Sequence, residues 1–399
     1  MLRGMGPFRR IVILVLDSVG VGAMPDADEF GDEGSDTLGH VAQSYPLRIS
    51  HLQRLGIGNI RPLEGVAPVH PAAGSYGKMA LSSRGKDTTA GHWEMMGLVL
   101  DRPFPTYPHG FPRQLIREFE AAIGRTVLGN VAASGTVIIE QLGERHLQTG
   151  SPIVYTSADS VFQIAAHQEV IPVSELYRIC ESARRILTGE HQVGRVIARP
   201  FVGEPGHFRR TEGRKDYAIP PHISTVLDHL HSHHFPVVAV GKIASIYCYC
   251  GVDQELKTKN NRETAQTTLA AMEATSEGLI FSNFVDFDML YGHRNDVSGY
   301  ARALEEFDQD LDQIEGRLAS NDLLMLVSDH GCDPTTASTD HSREYALLLT
   351  FSKSGRSDQD LGTRASLADL GATVAENFGV QSPAGTSFLG QLAGAGILR

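Results

Sequence analysis

Acidic and imidazole side chains follow apolar segments of this sequence, at the point where each segment ends. Asp17 comes directly after the run at 11–16. The runs at 280–285 and 323–327, with the loops that follow them, supply the other members of the set: Asp286, Asp288, His293, Asp329, His330 and His341. Carboxylates and imidazoles brought together would repel one another or lack hydrogen-bond partners unless cations bind between them. Oxygen and nitrogen ligands with no thiolate among them suit Mn, Zn or Fe.

Each of these residues also has an ordinary structural interpretation when it is taken alone. An Asp at the end of a strand often caps a helix or a turn, and an isolated His is usually a surface residue or a satisfied buried one. The joint pattern favours the metal site, because functional groups in open α/β sheets gather at the carboxyl ends of the strands.

A hydroxyl group and a basic segment are further candidates for chemistry. Thr88 lies in the segment 85–94, where small and polar residues precede a helix-like run. Backbone N–H groups at a helix N-terminus favour phosphate, although a simple helix cap is the alternative. The segment 195–216 holds more basic than acidic residues, and its arginines suit phosphate recognition. An ordinary basic linker would have the same composition.

Two weaker patterns favour structural explanations. Gly20 and Gly22 follow the first apolar run like a dinucleotide fingerprint, but the third glycine is missing, so a nicotinamide oxidoreductase is a weak alternative. The histidines at 229–234 cluster where a helix is expected to end, and a solvated helix terminus explains them.

Short apolar runs alternate with helical patterns along the chain, and this alternation predicts the elements that must position these residues. The runs at 11–16, 237–240, 280–285, 323–327 and 346–350 are typical of strands buried on both faces. One helix is indicated by apolar residues at steps of four and three, namely Tyr300, Leu304, Phe307, Leu311, Ile314 and Leu318. The pattern predicts an α/β fold with a doubly wound, mostly parallel sheet.

The segment 101–219 differs from the rest of the sequence. It begins in a proline-rich stretch, ends in a polar and basic one, and carries strand and helix patterns of its own. We therefore expect residues 1–100 and 220–399 to form a discontinuous catalytic core, and 101–219 to form an inserted α/β domain.

Composition excludes several classes of protein. The formal net charge of −12 argues against a general nucleic-acid binder, and 41% hydrophobic residues can fill a core. Four cysteines in 399 residues are too few for a disulfide scaffold, which favours a reducing compartment. Apolar runs are too short to span a membrane. We expect a soluble, cytoplasmic monomer with no nucleic-acid or membrane partner.

Long stretches of the sequence closely resemble the phosphopentomutase family of the alkaline phosphatase superfamily. The matching motifs occur in the expected order and cover nearly the whole length: VLDSVGVGAMPDA (15–27), GKDTTAGHWEMMG (85–97), YTSADSVFQIAAH (155–167), GRVIARPFVG (194–203), RKDYAIPP (214–221), VGKI (240–243), NFVDFDMLYGHRND (283–296), SDHGCDPTTASTDHSREY (328–345) and DLGATVAENFG (369–379).

The resemblance implies a core of alkaline-phosphatase type with two divalent metal ions, expected to be manganese. Carried over by position, one ion would be held by Asp17, Asp329, His330 and Thr88. The other would be held by Asp288, His293 and His341. Thr88 matches the phosphorylated nucleophile of the family, and the segment 101–219 matches its cap domain. The positions that contact the sugar phosphate match Asp159, Arg195 and Lys242.

The implied reaction is the interconversion of ribose 5-phosphate and ribose 1-phosphate, and of the deoxyribose pair. A glucose or ribose bisphosphate would act as the activator. The sequence departs from the usual family pattern at Ala90, Gln168 and Ser245, but none of these is a proposed ligand or the nucleophile.

Two other functions stay open at this point. A phosphatase or a cofactor-independent phosphoglycerate mutase would use similar metal ligands, and only the cap residues and Lys242 favour the pentose mutase. A catalytically silent protein that binds metal or sugar phosphate is the second alternative, and the intact nucleophile argues against it.

Overall fold

A computed structural model describes residues 6–157 and 160–394 of the chain. The chain forms two units, Met1–Pro103 with Pro220–Arg399, and Phe104–Ile219 inserted between them. The boundaries therefore lie at 103/104 and 219/220, where the sequence predicts 100/101 and 219/220.

Fifteen strands and thirteen α-helices lie in the described residues. The strands are β1 (Arg10–Leu16), β2 (Gly20–Ala23), β3 (Ser75–Met79), β4 (Leu128–Ala132), β5 (Ile153–Thr156), β6 (Val161–His167), β7 (Arg195–Val202), β8 (Arg209–Arg210), β9 (Lys215–Ala218), β10 (Val237–Val240), β11 (Gln254–Leu256), β12 (Gly278–Phe284), β13 (Asp322–Val327), β14 (Glu344–Phe351) and β15 (Asp360–Arg364). The helices are α1 (Thr37–Ser44), α2 (Ser50–Leu55), α3 (Ile57–Ile60), α4 (Thr88–Met95), α5 (Arg113–Ile123), α6 (Gly135–Thr149), α7 (Val173–Ile186), α8 (Val226–Ser232), α9 (Ile243–Ile246), α10 (Asn261–Ala274), α11 (Val297–Arg317), α12 (Ala368–Phe378) and α13 (Leu389–Leu392).

The first unit is built on a nine-stranded sheet in the order β11-β10-β12-β1-β13-β14-β3-β15, with β2 paired to β14. Strands β11, β10, β12, β1 and β13 are parallel, which confirms the predicted doubly wound α/β class. β14 is antiparallel to both β13 and β3. Its orientation could not be read from the sequence, because its apolar run looks like those of the parallel strands.

Every residue of β1 is buried, so helices must cover both faces of the sheet. On one face Val12, Leu14 and Leu16 belong to a core that also includes Leu304 and Phe307 of α11. The predicted apolar stripe of α11 therefore packs onto the central strands, as its spacing indicates.

The inserted unit has a sheet of its own, in the order β4-β5-β6-β7-β8, with β9 paired to β7. Phe162 and Ile164 of β6 face a core shared with α5 and α7. The neighbouring Ala165 faces the other side, in a core shared with α6. Alternate side chains of one strand thus supply two cores, which is the pattern of a sheet covered on both faces.

Three adjacent parallel strands end at the same level, and this register positions the candidate metal ligands. Leu16 at the end of β1 pairs with Phe284 of β12, and Val15 pairs with Val327 of β13. The residues that follow these strands therefore emerge together at one edge of the sheet. No helix in the described residues combines the length and the apolar character needed to cross a membrane.

A buried carboxylate, Glu344, ties β14 to β2 and to the start of α1. It accepts hydrogen bonds from the backbone N–H groups of Gly22 (3.2 Å) and Thr37 (2.9 Å), and from the hydroxyls of Thr37 and Ser342 (both 2.7 Å). A Cβ at Gly20 would lie 2.3 Å from Glu344 Oε2. The glycines that imitate a dinucleotide motif are therefore explained by the packing of β2. Burial raises the pKa of Glu344 to about 7.

We expect Glu344→Gln to change how stability depends on pH. The pKa of Glu344 rises from 4.5 to about 7 on folding, so the folded state binds the proton more strongly and the wild type loses stability as the pH rises through this interval. Glutamine does not titrate, and its amide can donate to the hydroxyls of Thr37 and Ser342. As the pH rises from 4.5 to 7, the free energy of unfolding should fall by about 1–3 kcal/mol more in the wild type than in the variant.

Urea denaturation of the metal-free proteins between pH 4.5 and pH 7 measures this difference. Parallel pH dependences of the two proteins would contradict the assignment.

Candidate metal centre

The first group of ligands comes from the ends of β1 and β13. His330 Nε2 lies 3.2 Å from Asp329 Oδ2 and 3.6 Å from Asp17 Oδ1. All three residues are buried, and their ligand atoms lie within 4.8 Å of one another. A single cation can therefore contact all three side chains.

The second group comes from the segment after β12 and the loop before β14. Asp288 Oδ1 lies 3.3 Å from His341 Nε2, and Asp288 Oδ2 lies 3.3 Å from His293 Nε2. Asp288, His330 and His341 also offer ligand atoms within 4.8 Å of one another, and the rings of His330 and His341 are 4.1 Å apart. The two groups are therefore neighbours at one sheet edge.

An unusual local backbone brings Asp288 and His293 together. A π-helical turn at Phe287–Tyr291 is followed by a 3-10 turn at Gly292–Arg294. The 3-10 turn ends at Asn295, whose φ of 52° is left-handed. π-helical turns are frequent at functional sites, and here the two turns bring the Asp and the His to the same position.

Four buried atoms of these groups have no hydrogen-bond partner: Asp17 Oδ1, Asp288 Oδ1, Asp329 Oδ2 and His341 Nε2. Burying such groups without partners is costly. The three carboxylate oxygens among them can only offer electron pairs, so a hydrogen-bond acceptor could not satisfy them. The donor set of carboxylates and imidazoles fits divalent cations such as Mn²⁺ or Zn²⁺.

The pKa shifts reflect the same crowding. Burial and the nearby charges of Asp329 and Asp288 raise the pKa of Asp17 well above its ordinary value. Burial alone would raise the pKa of Asp329, but the imidazoles of His330 and His92 hold it well below its ordinary value. Hydrogen bonding to Asp288 raises the pKa of His293 to about 12. Without cations, protons must therefore balance these carboxylates.

Backbone carbonyls orient the imidazole rings. His293 Nδ1 lies 2.6 Å from the carbonyl oxygen of Thr339, and His330 Nδ1 lies 3.0 Å from that of Gly331. Each Nδ1 therefore carries a hydrogen and donates it, so Nε2 can serve as the electron-pair donor once a cation replaces the proton between the ring and the carboxylates. Such partners fix the orientation of metal-binding histidines.

Thr88 is the first residue of α4 and lies beside the first group. Its Oγ1 is 3.3 Å from His330 Nε2. Asp87 caps the helix by accepting hydrogen bonds from the N–H groups of Thr89 and Ala90. Asp87 is therefore the helix cap, and the side chain of Thr88 faces the metal ligands.

Arg343 anchors the loop that leads to Thr88. This buried guanidinium donates to the backbone carbonyls of Leu81, Ser83 and Gly85 at 2.7–2.8 Å. It also pairs with Asp26 at 3.0 Å. The hydroxyl of Thr88 is thus carried by a loop with little freedom to move.

The predicted substrate residues are distributed over both units. Lys242 follows β10 in the first unit, and its positive charge offsets part of the rise that burial causes in the pKa of Asp17. Its Nζ lies 3.8 Å from the sulfur of Met289. Arg195 begins β7 in the inserted unit, 3.8 Å from Asp216 Oδ2. Asp159 lies outside the described residues.

Two further residues near the site, Asp286 and Cys332, differ in their relation to the metal groups. Asp286 does not join the described metal groups, because its carboxylate accepts a hydrogen bond from the N–H of Asn261 and helps to begin α10. A thiol does join them: Cys332 Sγ lies within 4.8 Å of ligand atoms of Asp288 and His293. Cys332 is the second residue after His330. This closeness in the sequence could indicate that Cys332 lies near the site, but only once the end of the strand is known.

Comparisons with known proteins place the chain among metalloenzymes. Residues 9–382 match the family model described as Metalloenzyme superfamily. The chain is 57% identical over 385 residues to a phosphopentomutase of Caldanaerobacter subterraneus subsp. tengcongensis, covering 96% of this chain and 98% of the relative. It is 53% identical over 386 residues to a phosphopentomutase of Acetivibrio thermocellus, covering 96% and 100%.

The fold is also found among solved structures. The PH0037 protein from Pyrococcus horikoshii superposes with a TM-score of 0.50 at 13% identity, covering 95% of this chain and 100% of that one. At this identity the likeness concerns the architecture alone.

We expect Asp288→Asn to weaken divalent metal binding, because it removes the single carboxylate, and with it the negative charge, of the second group of ligands. Affinity for Mn²⁺ should fall by at least the roughly 10- to 100-fold that the loss of a supporting partner costs at metal sites. Titration calorimetry with MnCl₂ and metal analysis after gel filtration measure the effect. Asp286→Asn is the matched control, since it alters a nearby carboxylate outside the described metal groups. Equal Mn²⁺ affinity in both variants would contradict the assignment.

Proposed function

Because the chain belongs to the phosphopentomutase family of the metalloenzyme superfamily and is a pentose phosphate mutase, we propose that Thr88 carries the phosphoryl group transferred in the reaction. The substrates of the enzyme are ribose 5-phosphate and ribose 1-phosphate, and the corresponding deoxyribose pair. The observation that carries the proposal is the position of Thr88 Oγ1, 3.3 Å from His330 Nε2 and at the start of α4.

Two divalent ions would complete this site, and manganese suits the mixture of carboxylate and imidazole donors. Asp17, Asp329, His330 and Thr88 would hold one ion. Asp288, His293 and His341 would hold the other. When bound, the ions lower the pKa of a hydroxyl and stabilise the charge on phosphoryl oxygens. The unpartnered electron pairs of Asp17, Asp288, Asp329 and His341 support this assignment.

The transfer begins with phosphorylated Thr88. The free hydroxyl of a pentose monophosphate attacks the phosphorus, the bond to Thr88 Oγ1 breaks, and a bond to the sugar oxygen forms. The sugar hydroxyl loses one proton and the released threonine oxygen gains one, so the step is balanced. The product is a pentose bisphosphate.

The second half of the reaction reverses the first with the other phosphate. The bisphosphate reorients, and the phosphate group that the substrate carried at the start is transferred to Thr88. A glucose or ribose bisphosphate can supply the first phosphoryl group, which makes it the activator. Arg343 anchors the loop before Thr88, and this supports the role of Thr88 as the phosphate carrier, because a fixed Oγ1 can serve both halves of the cycle.

Substrate binding is assigned to Lys242, Arg195 and Asp159. The positively charged side chains of Lys242 and Arg195 suit the phosphate groups of the sugar, and the carboxylate of Asp159 suits its hydroxyl groups. The inserted unit serves as a cap that excludes water, because water that reached the phosphothreonine would turn the mutase into a phosphatase.

The phosphatase and phosphoglycerate mutase alternatives give different products. Mn²⁺-loaded protein is incubated with ribose 1-phosphate and a catalytic amount of glucose 1,6-bisphosphate, and phosphorus NMR follows the products. Ribose 5-phosphate identifies the mutase, and free phosphate identifies a phosphatase. A protein that only binds metal or sugar phosphate gives neither.

We expect Thr88→Val to lower kcat by about 1000-fold or more, because it removes the hydroxyl that carries the phosphoryl group while keeping the shape of the side chain. The phosphorus NMR assay measures turnover, and mass spectrometry locates phosphate on the protein. Thr89→Val is the matched control one residue further along α4. A Thr88→Val variant that keeps wild-type turnover would exclude the nucleophile.

Arg195→Ala should raise the KM for ribose 1-phosphate or lower kcat by about tenfold, because the loss of a charge-assisted hydrogen bond to phosphate costs about 1.5–3 kcal/mol. Arg178→Ala, an exposed arginine on α7 of the same unit, is the control. Unchanged kinetics in Arg195→Ala would remove this residue from the site.

A further inference from the structure

We propose that His92 and Asn283 form a hydrogen-bond relay that positions Thr88 and the carboxylates of Asp17 and Asp329 for phosphoryl transfer. The proposal rests on the function assigned above to Thr88. His92 and Asn283 are both fully buried, so we assign them as positioning residues rather than catalytic ones.

His92 lies one helical turn after Thr88 on α4 and is fully buried. Its Nδ1 is 2.9 Å from the carbonyl oxygen of Thr88 and 3.1 Å from Asp329 Oδ2. Both neighbours can only accept a hydrogen bond, so Nδ1 carries the hydrogen. One N–H group therefore donates a hydrogen bond to the nucleophile residue and lies in electrostatic contact with a metal ligand.

Asn283 lies on the fully buried strand β12 and continues the relay from the other end of the ring. Its Nδ2 is 3.1 Å from Asp17 Oδ2 and 3.4 Å from His92 Nε2. The amide must present its N–H₂ group here, because a flipped amide would place Oδ1 against the carboxylate of Asp17. Nε2 of His92 therefore acts as an acceptor, which agrees with a hydrogen on Nδ1.

Packing holds the ring of His92 in this orientation. The ring stacks on Phe281 of β12, with centroids 6.1 Å apart and planes inclined by 28°. The hydroxyl of Tyr247 donates a hydrogen bond to the backbone carbonyl of His92. The ring cannot turn without breaking buried contacts, so its two nitrogens keep their separate roles.

The relay joins residues from three separate elements. Asp17 follows β1 and Asp329 follows β13, and the pairing of these two strands fixes one carboxylate relative to the other, whereas Thr88 begins α4, which lies outside the sheet. A displacement of about 1 Å between reacting groups can cost roughly 100-fold in rate. The relay supplies the missing link, because it connects the two carboxylates and the nucleophile through one ring and one amide.

Two substitutions of His92 separate positioning from simple packing. The amide nitrogen of Asn occupies the place of Nδ1, whereas that of Gln occupies the place of Nε2. His92→Gln should lower kcat by about 100-fold, with the KM for ribose 1-phosphate within about twofold of the wild type. His92→Asn keeps the donor to Thr88 and Asp329, and should stay within about tenfold of the wild-type kcat. His233→Gln, an exposed histidine after α8, is the control.

Asn283→Asp provides a test that does not depend on the folding of either His92 variant. It replaces the donor with an acceptor beside Asp17 and His92, so kcat should again fall by about 100-fold with little change in KM. Nitrogen-15 NMR of the Mg²⁺-loaded wild-type protein gives a readout independent of activity. The His92 ring should show a protonated Nδ1 and a bare Nε2.

The opposite tautomer, wild-type kcat in Asn283→Asp, or equal kcat in His92→Asn and His92→Gln would each overturn the relay. A wild-type protein that releases free phosphate and makes no ribose 5-phosphate would instead overturn the proposed function. The two failures are therefore distinguishable in the same set of assays.

Discussion

The crowding of buried carboxylates and imidazoles at one edge of a parallel sheet is the constraint on which the rest of this structure depends. Asp17, Asp288 and Asp329 are all buried, and several of their oxygen atoms lack hydrogen-bond partners. Charges in such a place are costly unless cations or protons balance them. The site therefore persists only because strong apolar packing beneath it holds the strands in register, with β1 buried on both faces.

The surroundings of the site convert this costly arrangement into a defined geometry. Backbone carbonyls of Thr339 and Gly331 set the rings of His293 and His330. Arg343 binds three carbonyls of the loop before Thr88, and Glu344 joins β14 to β2 and α1. A phosphoryl transfer that returns to the same hydroxyl gains from such rigidity, because positioning supplies much of the rate in this type of chemistry.

Much of the fold and part of the candidate site could be predicted from local patterns. The five apolar runs are all strands, the helix with steps of four and three is α11, and Asp17 and Asp329 follow their strands as expected. The local pattern did not distinguish Asp286 from Asp288, and only the family resemblance selected Asp288, which a π-helical turn brings to the site in the structure. Cys332, His92 and Asn283 were missed, since their proximity depends on contacts between distant segments.

The sequence by itself determined the doubly wound class, the acidic and imidazole residue types at the strand ends, and Thr88 at the start of a helix. These features depend on short-range periodicity and on rules that hold for any parallel sheet. Only the tertiary structure decided which ligands share a group, that β14 runs antiparallel, and that His92 lies between Thr88 and Asp329. Distances between residues far apart in the chain follow from how side chains pack, and no local pattern contains that information.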